Sequence, residues 1–214
     1  MYRPTQFRED RADVLVAAVK ELKFASLVTL AGTELIATHI PMLIKEDAQG
    51  LRLECHVARA NPQWKQIHSA VNALAIFVGP QAYISPTWYA TKAEHQRVVP
   101  TWNYISVQAS GPLSVIENKE WLLRHIGELT DHNEEGQTNP WRVDDAPGEF
   151  IDQLCGAIVG LSIDVQKFEG AWKMAQHRSE ADRLGVIQGL NESGENGKLV
   201  ACEMARLEAK RSQD

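Results

Sequence analysis

Hydrophobic and polar positions alternate in two different ways along the chain. In residues 10–23 the apolar residues recur at helical spacing beneath charged ones, which predicts an amphipathic opening helix. From Phe24 on, residues that favour β-strands predominate, and two strands are expected around the turn at residues 31–33. Further strands are predicted at residues 51–57, 71–78, 81–88 and 103–116.

The second half of the chain mixes helical and β patterns. Ser179 followed by Asp182 resembles a helix-opening box, in which a serine oxygen accepts a hydrogen bond from a free backbone amide. The other predicted elements are a short helix at 61–68, a helix at 117–133, a loop at 136–148, a closing barrel strand at 155–165, a polar linker at 191–197 and a final helix at 198–210.

The order of these elements predicts the fold class. Five or six short strands without a regular helix between them favour an antiparallel barrel over a doubly wound sheet, giving a mainly β protein with peripheral helices. A chain of 214 residues with 44% hydrophobic content can bury a substantial core. We expect one domain over residues 1–190, followed by a linker and helix at 191–214.

Composition and charge narrow the function classes. The three cysteines show no CxxC spacing, so neither a disulfide framework nor a metal site is predicted. No apolar run reaches membrane-spanning length, and we expect a soluble, cytoplasmic protein without a membrane partner. The formal net charge of −6 argues against general attraction to nucleic acid, so DNA is a candidate partner only through a local basic patch or one made across a dimer.

Two aromatic segments interrupted by proline, residues 83–89 and 99–104, carry the strongest chemical signal. Proline fits poorly inside a regular ladder, while tryptophan and tyrosine offer flat apolar faces with a polar tip. Trp88, Trp102 and Tyr104 are typical of a core or a dimer interface as well. Their concentration beside Ser85, Thr101 and Asn103 favours a wall for a flat heteroaromatic ligand.

Two strand ends carry weaker signals. His56 and Arg59 fall between a strand and a short helix, where an arginine fork and helix amides suit a phosphate, although an arginine capping a surface loop has the same pattern. His39 lies two residues before Pro41, and an ordinary strand end with His39 bonded to backbone is favoured there. The chain has no GxGxxG, HExxH or GxSxG motif.

Seven motifs in order resemble one family, the PaiB-type FMN-binding negative transcriptional regulators, over about residues 1–190. They are Tyr2-Arg-Pro, Ala37-Thr-His-Ile-Pro, His56-Val-Ala-Arg-Ala-Asn-Pro-Gln-Trp, Gly79-Pro-Gln-Ala-Tyr-Ile-Ser-Pro-Thr-Trp-Tyr, Val99-Pro-Thr-Trp-Asn-Tyr, Asn139-Pro-Trp and Arg178-Ser-Glu-Ala-Asp-Arg. The resemblance implies a split β-barrel like that of flavin reductases and pyridoxamine-phosphate oxidases. It further implies a homodimer with FMN at the subunit interface.

The resemblance also implies roles for individual residues. The phosphate and ribityl end would be held by His56, Arg59 and Asn61, while Thr38, His39 and Ile40 would lie along the isoalloxazine. The remaining contacts would come from Tyr83, Ile84, Ser85, Trp88, Thr101, Trp102 and Asn103, with Gln176 and Arg178 reaching in from the partner subunit. The chain departs from the family pattern at Cys55, Gln96 and Ala175-Gln-His177.

Three hypotheses about function follow from the sequence. The first is a homodimeric flavin-binding regulator that influences transcription. The second is an FMN-dependent oxidoreductase with a nicotinamide donor, in which the cofactor supplies the redox chemistry and no acid-base pair of side chains is required. The third is a flavin store or an interaction module.

Overall fold

The computed structural model describes residues 1–67 and 71–211. The helices are α1 (Ala12–Leu22), α2 (Lys92–His95), α3 (Lys119–Glu134), α4 (Gly148–Gly156), α5 (Glu180–Asn191) and α6 (Glu195–Arg211). The strands are β1 (Arg8–Glu9), β2 (Phe24–Ala31), β3 (Glu34–Pro41), β4 (Leu43–Asp47), β5 (Gly50–Ala58), β6 (Ala73–Ile84), β7 (Thr101–Gly111), β8 (Leu113–Ile116), β9 (Ile158–Asp164) and β10 (Lys167–Lys173). Short 3-10 helices cover Thr5–Phe7, Pro62–Lys65, Pro86–Trp88 and Val143–Asp145.

The chain divides into two compact units. The first unit contains residues 1–15 and 78–107 and the chain from Glu169 on, and the second contains residues 16–77 and 108–168. Helix α1 and three strands, β6, β7 and β10, contribute residues to both. Residues 73–77 of β6 belong to the second unit and residues 78–84 to the first, while β7 passes from the first unit to the second after residue 107.

The first unit combines the strand order β1-β10-β7-β6 with helices α5 and α6. Strand β1 pairs antiparallel with β10, and Arg8 lies opposite Ala171. The core of the unit includes Ile84 and Ile105 from the strands, Leu190 from α5, and Met204 from α6. Helix α6 therefore packs into the core of the first unit. The predicted domain boundary after residue 190 stays a prediction.

The second unit contains the strand order β6-β2-β3 and a four-stranded sheet with the order β4-β5-β9-β8. Strands β2 and β3 form an antiparallel hairpin in which Ser26 lies opposite His39. On β5, Leu53, Cys55 and Val57 are buried on one face. The intervening residues of β5 lie on the opposite face, as expected from the two-residue period of a strand.

Helix α3 lies on that opposite face of the four-stranded sheet, and its position depends on a glycine. A Cβ atom added at Gly160 of β9 would lie 2.3 Å from Cζ3 of Trp121. Contacts this short do not occur between real atoms, so a side chain at residue 160 would displace the Trp121 ring. Asn118 caps the helix, since its side chain accepts a hydrogen bond from the backbone N–H of Trp121 at 2.8 Å.

Several predicted elements are confirmed. The opening helix, the β2–β3 hairpin, the strand near residues 51–57, the helix near 117–133 and the final helix all form close to the predicted bounds. Ser179 caps α5 by accepting a hydrogen bond from the backbone N–H of Asp182 at 3.3 Å. None of the helices in the described part of the chain has the length and apolar content that crossing a membrane requires.

Other elements differ from the prediction. The two strands predicted at 71–78 and 81–88 form one strand, β6, which ends at Ile84 before the 3-10 helix. The strand predicted at 103–116 is divided into β7 and β8 at Pro112, which has no N–H for the ladder. Beside it, Gly111 lies close to the Asp164 backbone, where an added Cβ would stand 1.7 Å from the carbonyl oxygen.

Four further predictions about elements differ from the structure in extent. Cys155 belongs to α4 and not to a strand, because it is buried one helical turn after Ile151. The loop at 136–148 contains a 3-10 helix, and the linker at 191–197 is mostly helix ends. The helix predicted at 61–68 is a 3-10 helix over Pro62–Lys65, and His68 lies outside the described residues.

Candidate functional site

An aromatic surface lies at the end of β6 and the start of β7 in the first unit. Tyr83 is 46% exposed and Trp102 is 52% exposed, and their ring centroids lie 6.4 Å apart in an edge-to-face arrangement. Tyr104 follows Trp102 at the next position on the same face of β7. We call these three residues the aromatic wall. Large exposed rings grouped in this way are typical of a surface that binds a ligand or another protein.

Residues next to the aromatic wall in sequence point into the core. Ile84 is fully buried, and Asn103 is 1% exposed. The Nδ2 of Asn103 donates to Sδ of Met204 at 3.3 Å, and among the described residues no group bonds its Oδ1. Alternation along the strand therefore separates Asn103 from its neighbours Trp102 and Tyr104.

Lys173 of β10 lies against the start of β7. Its Nζ donates to Oγ1 of Thr101 at 2.5 Å and to the carbonyl oxygen of Trp102 at 2.6 Å, and lies 6.0 Å from the Tyr104 ring centroid. Burial lowers the pKa of the Lys173 ammonium. No sequence pattern points to this residue, because it lies on a different strand, about 70 positions after Thr101.

Ser85 and Trp88 delimit the short helix that follows β6. The Ser85 hydroxyl accepts from the backbone N–H of Thr87 at 3.2 Å, so it caps the 3-10 helix that begins with Pro86. Trp88 packs against the first unit's core. A Cβ added at Gly189 of α5 would lie 2.4 Å from the Trp88 ring. Both residues thus have structural contacts in the first unit.

Gln176 and Arg178 lie in the turn between β10 and α5. Gln176 closes this turn on itself, since its Oε1 accepts from the backbone N–H of Met174 at 2.8 Å and its Nε2 donates to the Trp172 carbonyl. The Arg178 guanidinium lies 4.6 Å from the Tyr89 ring centroid. Among the described residues no group accepts from the buried Nε of Arg178.

In the second unit, Thr38 and Asn61 meet at a buried glutamine. Thr38 donates to Oε1 of Gln63 at 2.5 Å and accepts from Nδ2 of Asn61 at 3.2 Å. Nε2 of Gln63, a fully buried residue, donates to Oγ1 of Thr29 at 2.9 Å. Sequence reasoning missed Gln63. A signal was present in the Asn-Pro pair before it, because Asn61 caps the 3-10 helix by accepting from the Gln63 N–H at 3.0 Å.

His39 and Ile40 point to opposite faces of β3. Ile40 is 5% exposed, whereas His39 lies on the exposed face. Nδ1 of His39 lies 2.9 Å from the Ser26 hydroxyl, and its ring stacks on Phe24 with a centroid distance of 6.4 Å. The favoured expectation of a backbone partner for His39 is therefore replaced by a side-chain partner on the neighbouring strand.

Arg59 makes several contacts to protein groups. Its Nη1 lies 2.5 Å from Oε2 of Glu117, and its Nε and Nη2 donate to the carbonyls of Gly156 and Ile158 at 2.9 and 3.2 Å. The guanidinium charge is thus balanced by a carboxylate, and the fork ties the end of β5 to the start of β9. This arrangement matches the loop-capping alternative for Arg59.

His56 packs against helix α3. Its Nδ1 lies 3.1 Å from Nε2 of His125, and the buried His125 ring stacks on Trp121 with a centroid distance of 5.0 Å. Burial lowers the pKa of His125 to about 3, with smaller contributions from His56 and from the cations Arg124 and Lys45. Burial also lowers the pKa of His56. The two rings are therefore neutral near pH 7.

A cavity of about 570 Å³ lies beside α3 in the second unit. Its floor includes the buried carboxylate of Glu54, which accepts from Arg124 at 3.0 Å. Arg124 also bonds Glu128, which pairs with Lys45 at 2.9 Å. Lys45, Glu54, Arg124 and Glu128 are therefore linked by ion pairs within this cavity, and none of the sequence-predicted site residues lines it.

Within each unit, the structure brings together part of the predicted set. Tyr83 and Trp102 share one surface of the first unit, Thr101 bonds Lys173, and Thr38 and Asn61 share a hydrogen bond in the second unit. Ile84, Trp88 and Asn103 belong instead to the first unit's core or its margin. What the first unit presents chemically is an aromatic surface with an ammonium and a hydroxyl beside it.

Comparisons with known proteins bear on this arrangement. A family model described as "Putative FMN-binding domain" matches residues 1–167. "Protease synthase and sporulation protein PAI 2" from Bacillus subtilis (strain 168) is 33% identical over 202 residues, which cover 94% of this chain and 95% of that protein.

Solved structures show a similar fold. The flavocytochrome Anf3 from Azotobacter vinelandii has a TM-score of 0.61 at 13% identity, with 86% of this chain and 78% of that chain covered. The FAD and heme binding protein from Mycobacterium smegmatis has a TM-score of 0.60 at 12% identity, with 83% and 78% covered. The prediction of a mainly antiparallel, split-barrel fold with peripheral helices is confirmed.

Proposed function

Because the chain belongs to the FMN-binding domain family whose model matches residues 1–167, we propose that it is a homodimeric flavin-binding regulator that influences transcription. The family match and the Bacillus subtilis relative confirm the resemblance found in the sequence and FMN as the cofactor. The regulatory role and the dimer are proposals that extend this membership.

The observation that carries the proposal is the aromatic wall with its two polar neighbours. FMN combines a flat ring system, which needs apolar faces, with a phosphate, which needs donors and positive charge. Tyr83 and Trp102 supply exposed rings, while Lys173 and Thr101 supply an ammonium and a hydroxyl within 2.5 Å of each other. The residues present therefore fit the cofactor. Bound FMN would supply a redox-active ring.

The other predicted contacts stay predictions. His39 is exposed beside Phe24 and Ser26 and offers an imidazole to the polar edge of a ring. Arg59 is paired with Glu117, so binding a phosphate there would require the guanidinium to share or exchange this partner. His56, Asn61, Gln176 and Arg178 are each engaged with groups of their own unit.

Exposed apolar side chains support the proposed dimer. Val99 of the first unit is 66% exposed, and in the second unit Leu35 is 75% exposed and Phe24 is 55% exposed, at opposite ends of the β2–β3 hairpin. A second copy of the chain would remove such surfaces from water. Size-exclusion chromatography with light scattering tests this, and a monomer at micromolar concentration would contradict the dimer.

FMN titration followed by flavin fluorescence tests the cofactor site. Replacing Trp102 by alanine removes a large stacking surface, and we expect the Kd for FMN to rise about tenfold. Trp141→Ala is the matched control, because Trp141 is also exposed but lies in the second unit on a different element. Equal FMN affinity in the Trp102 and Trp141 variants would refute the aromatic wall as the flavin surface.

Transcriptional function is tested by selection of genomic fragments with the purified dimer, followed by binding of the selected fragment over a range of salt concentrations. Since the net charge is −6, contact with DNA must come from local basic groups, and we expect a shallow salt dependence. Absence of specific binding at low salt, together with rapid flavin reduction by NADH or NADPH, would favour the oxidoreductase hypothesis instead.

A further inference from the structure

We propose that the cavity beside α3 in the second unit binds a small zwitterion of the amino-acid type. Its volume of about 570 Å³ lies within the range of about 300 to 1,000 Å³ that is usual for pockets that bind small molecules. None of the residues predicted to contact FMN lines the cavity, so its ligand is a second one and binds independently of the proposed flavin function.

The floor of the cavity is a row of three polar side chains that crosses the four-stranded sheet. Ser162 of β9 lies directly opposite Glu54 of β5 on one side and Ser114 of β8 on the other. Residues that face each other in this way share one face of the sheet, with Cβ atoms about 5 Å apart. Glu54 is 2% exposed, Ser162 is 7% exposed, and Ser114 on the edge strand is exposed. The row therefore leads from the surface to a buried carboxylate.

The protein uses only half of the hydrogen-bonding capacity of that carboxylate. Oε2 of Glu54 accepts from Nη2 of Arg124 at 3.0 Å, whereas within residues 1–67 and 71–211 no group donates to Oε1. In the same part of the chain no side chain or backbone group bonds the hydroxyls of Ser114 and Ser162. Burying a carboxylate is costly unless its oxygens are hydrogen-bonded, and the ion pair with α3 accounts for one oxygen alone. The other oxygen and the two hydroxyls match an ammonium group, which donates three hydrogen bonds.

The cations of the cavity supply the complementary half of the site. Arg124 has five N–H donors and uses two of them, for Glu54 and for Glu128. Its unused donors stand next to the Glu54 carboxylate, and charge-assisted bonds from a guanidinium to a carboxylate are among the stronger hydrogen bonds. An acidic and a basic group in contact therefore match the adjacent ammonium and carboxylate of an amino acid.

The overall charge of the cavity also favours a ligand without net charge. The lining contains three cations and four carboxylates, which are Lys45, Arg52, Arg124, Glu46, Asp47, Glu54 and Glu128. Charges of the two signs that nearly balance would attract neither a strong anion nor a strong cation over a distance. A zwitterion can replace part of the existing pairing at both of its ends.

Two apolar side chains border the polar row. Ile116 follows Ser114 on the same face of β8 and lies opposite Gly160 of β9. The Trp121 ring occupies the space above Gly160, and both Ile116 and Trp121 line the cavity. The body of the ligand would contact these two side chains. We therefore expect an amino acid with an apolar side chain to fit better than one with a charged side chain.

Isothermal titration calorimetry of the full chain tests the site. The probes are L-leucine, L-phenylalanine and two analogues of leucine, namely 3-methylbutylamine, which lacks the carboxylate, and 4-methylpentanoic acid, which lacks the ammonium. Each probe is titrated into the wild-type protein, Glu54→Gln and Ser162→Ala. Glu34→Gln is the matched control, because Glu34 is an exposed glutamate of the same unit that does not line the cavity. Thermal unfolding of each variant shows whether it folds.

We expect at least one of the two amino acids to bind the wild-type protein with a Kd below about 1 mM, and the amine and the acid to bind at least about tenfold more weakly. Glu54→Gln removes the negative charge and keeps the shape of the side chain, so the Kd should rise about tenfold. Ser162→Ala removes one neutral acceptor, so the Kd should rise by about threefold. Glu34→Gln should bind like the wild type.

Three outcomes would overturn the inference. The first is that neither amino acid binds the wild-type protein at about 10 mM. The second is that the amine or the acid binds as tightly as the amino acids, which would show recognition of a single charge. The third is an unchanged Kd in folded Glu54→Gln and Ser162→Ala. If Glu54→Gln does not fold, Ser162→Ala decides by the same criterion.

Discussion

Replacing Gln63 by leucine should destabilise the second unit by about 3 kcal/mol, because the buried amide links two strands to the 3-10 helix that carries it. Gln63 is fully buried and makes two close side-chain bonds, to Thr38 at 2.5 Å and to Thr29 at 2.9 Å. Its Nε2 also lies 3.4 and 3.3 Å from the carbonyl oxygens of Leu27 and Ile36.

The magnitude follows from these contacts. Each of the two close bonds contributes about 1 kcal/mol, and the two long ones contribute little. Leucine would leave the hydroxyl of Thr29, a residue that is 5% exposed, without its donor, which costs about 1 to 3 kcal/mol. The more favourable burial of leucine offsets part of this sum, by about 1 kcal/mol.

Urea unfolding at pH 7 provides the measurement. Gln66→Leu is the matched control, since Gln66 ends the same 3-10 helix with an exposed side chain. We expect the free energy of unfolding of the control to lie within about 0.5 kcal/mol of the wild type. If Gln63→Leu and Gln66→Leu unfold at the same urea concentration, the buried amide does not stabilise the unit and the reasoning is refuted.

Two further predictions concern packing and pH. Gly189→Ala places a Cβ 2.4 Å from the Trp88 ring and should destabilise the first unit by about 1 to 3 kcal/mol, as measured by thermal unfolding. The control Gly127→Ala has open space at its Cβ and should not destabilise the protein. Equal melting temperatures of the two variants would contradict this prediction. The pKa of His125 is lowered to about 3 in the folded protein, so the unfolded chain binds the proton first as the pH falls below about 6.5. The free energy of unfolding should therefore decrease between pH 6.5 and 3, by at most about 1.4 kcal/mol per pH unit. His125→Phe should flatten that dependence in urea unfolding at pH 4 to 7, and an unchanged slope would refute the assignment.

Local patterns predicted most elements, and the errors have physical causes. Strand β6 was divided in the prediction because Gly79 and Pro80 read as a break. In the structure the pairing of β6 with β2 covers residues 74–77, so Pro80 lies beyond it and its missing N–H costs no bond on that side. Cys155 was assigned to a strand because the β-branched run after it extends the apolar pattern.

The candidate site was predicted from residues that are adjacent in sequence, and the structure places some of these neighbours on different faces of a strand. Thr101, Trp102 and Asn103 were grouped because they are adjacent in sequence, but alternation along β7 places Trp102 outside and Asn103 in the core. The strand period could have separated them. Lys173 could not have been found in this way, because its approach to Thr101 depends on how β10 pairs with β7.

The space left by the absent side chain of Gly160, which the Trp121 ring occupies, means that side-chain volume, more than hydrogen bonding, determines where α3 lies on its sheet. The missing side chain of Gly160 and the large ring of Trp121 form one complementary pair. The buried His125 ring stacks on Trp121, and the half-buried His56 ring meets His125 edge to face. A gain of one methyl group at residue 160 would therefore be transmitted through Trp121 to both imidazoles. In the course of sequence divergence, these four positions can be expected to change together or not at all.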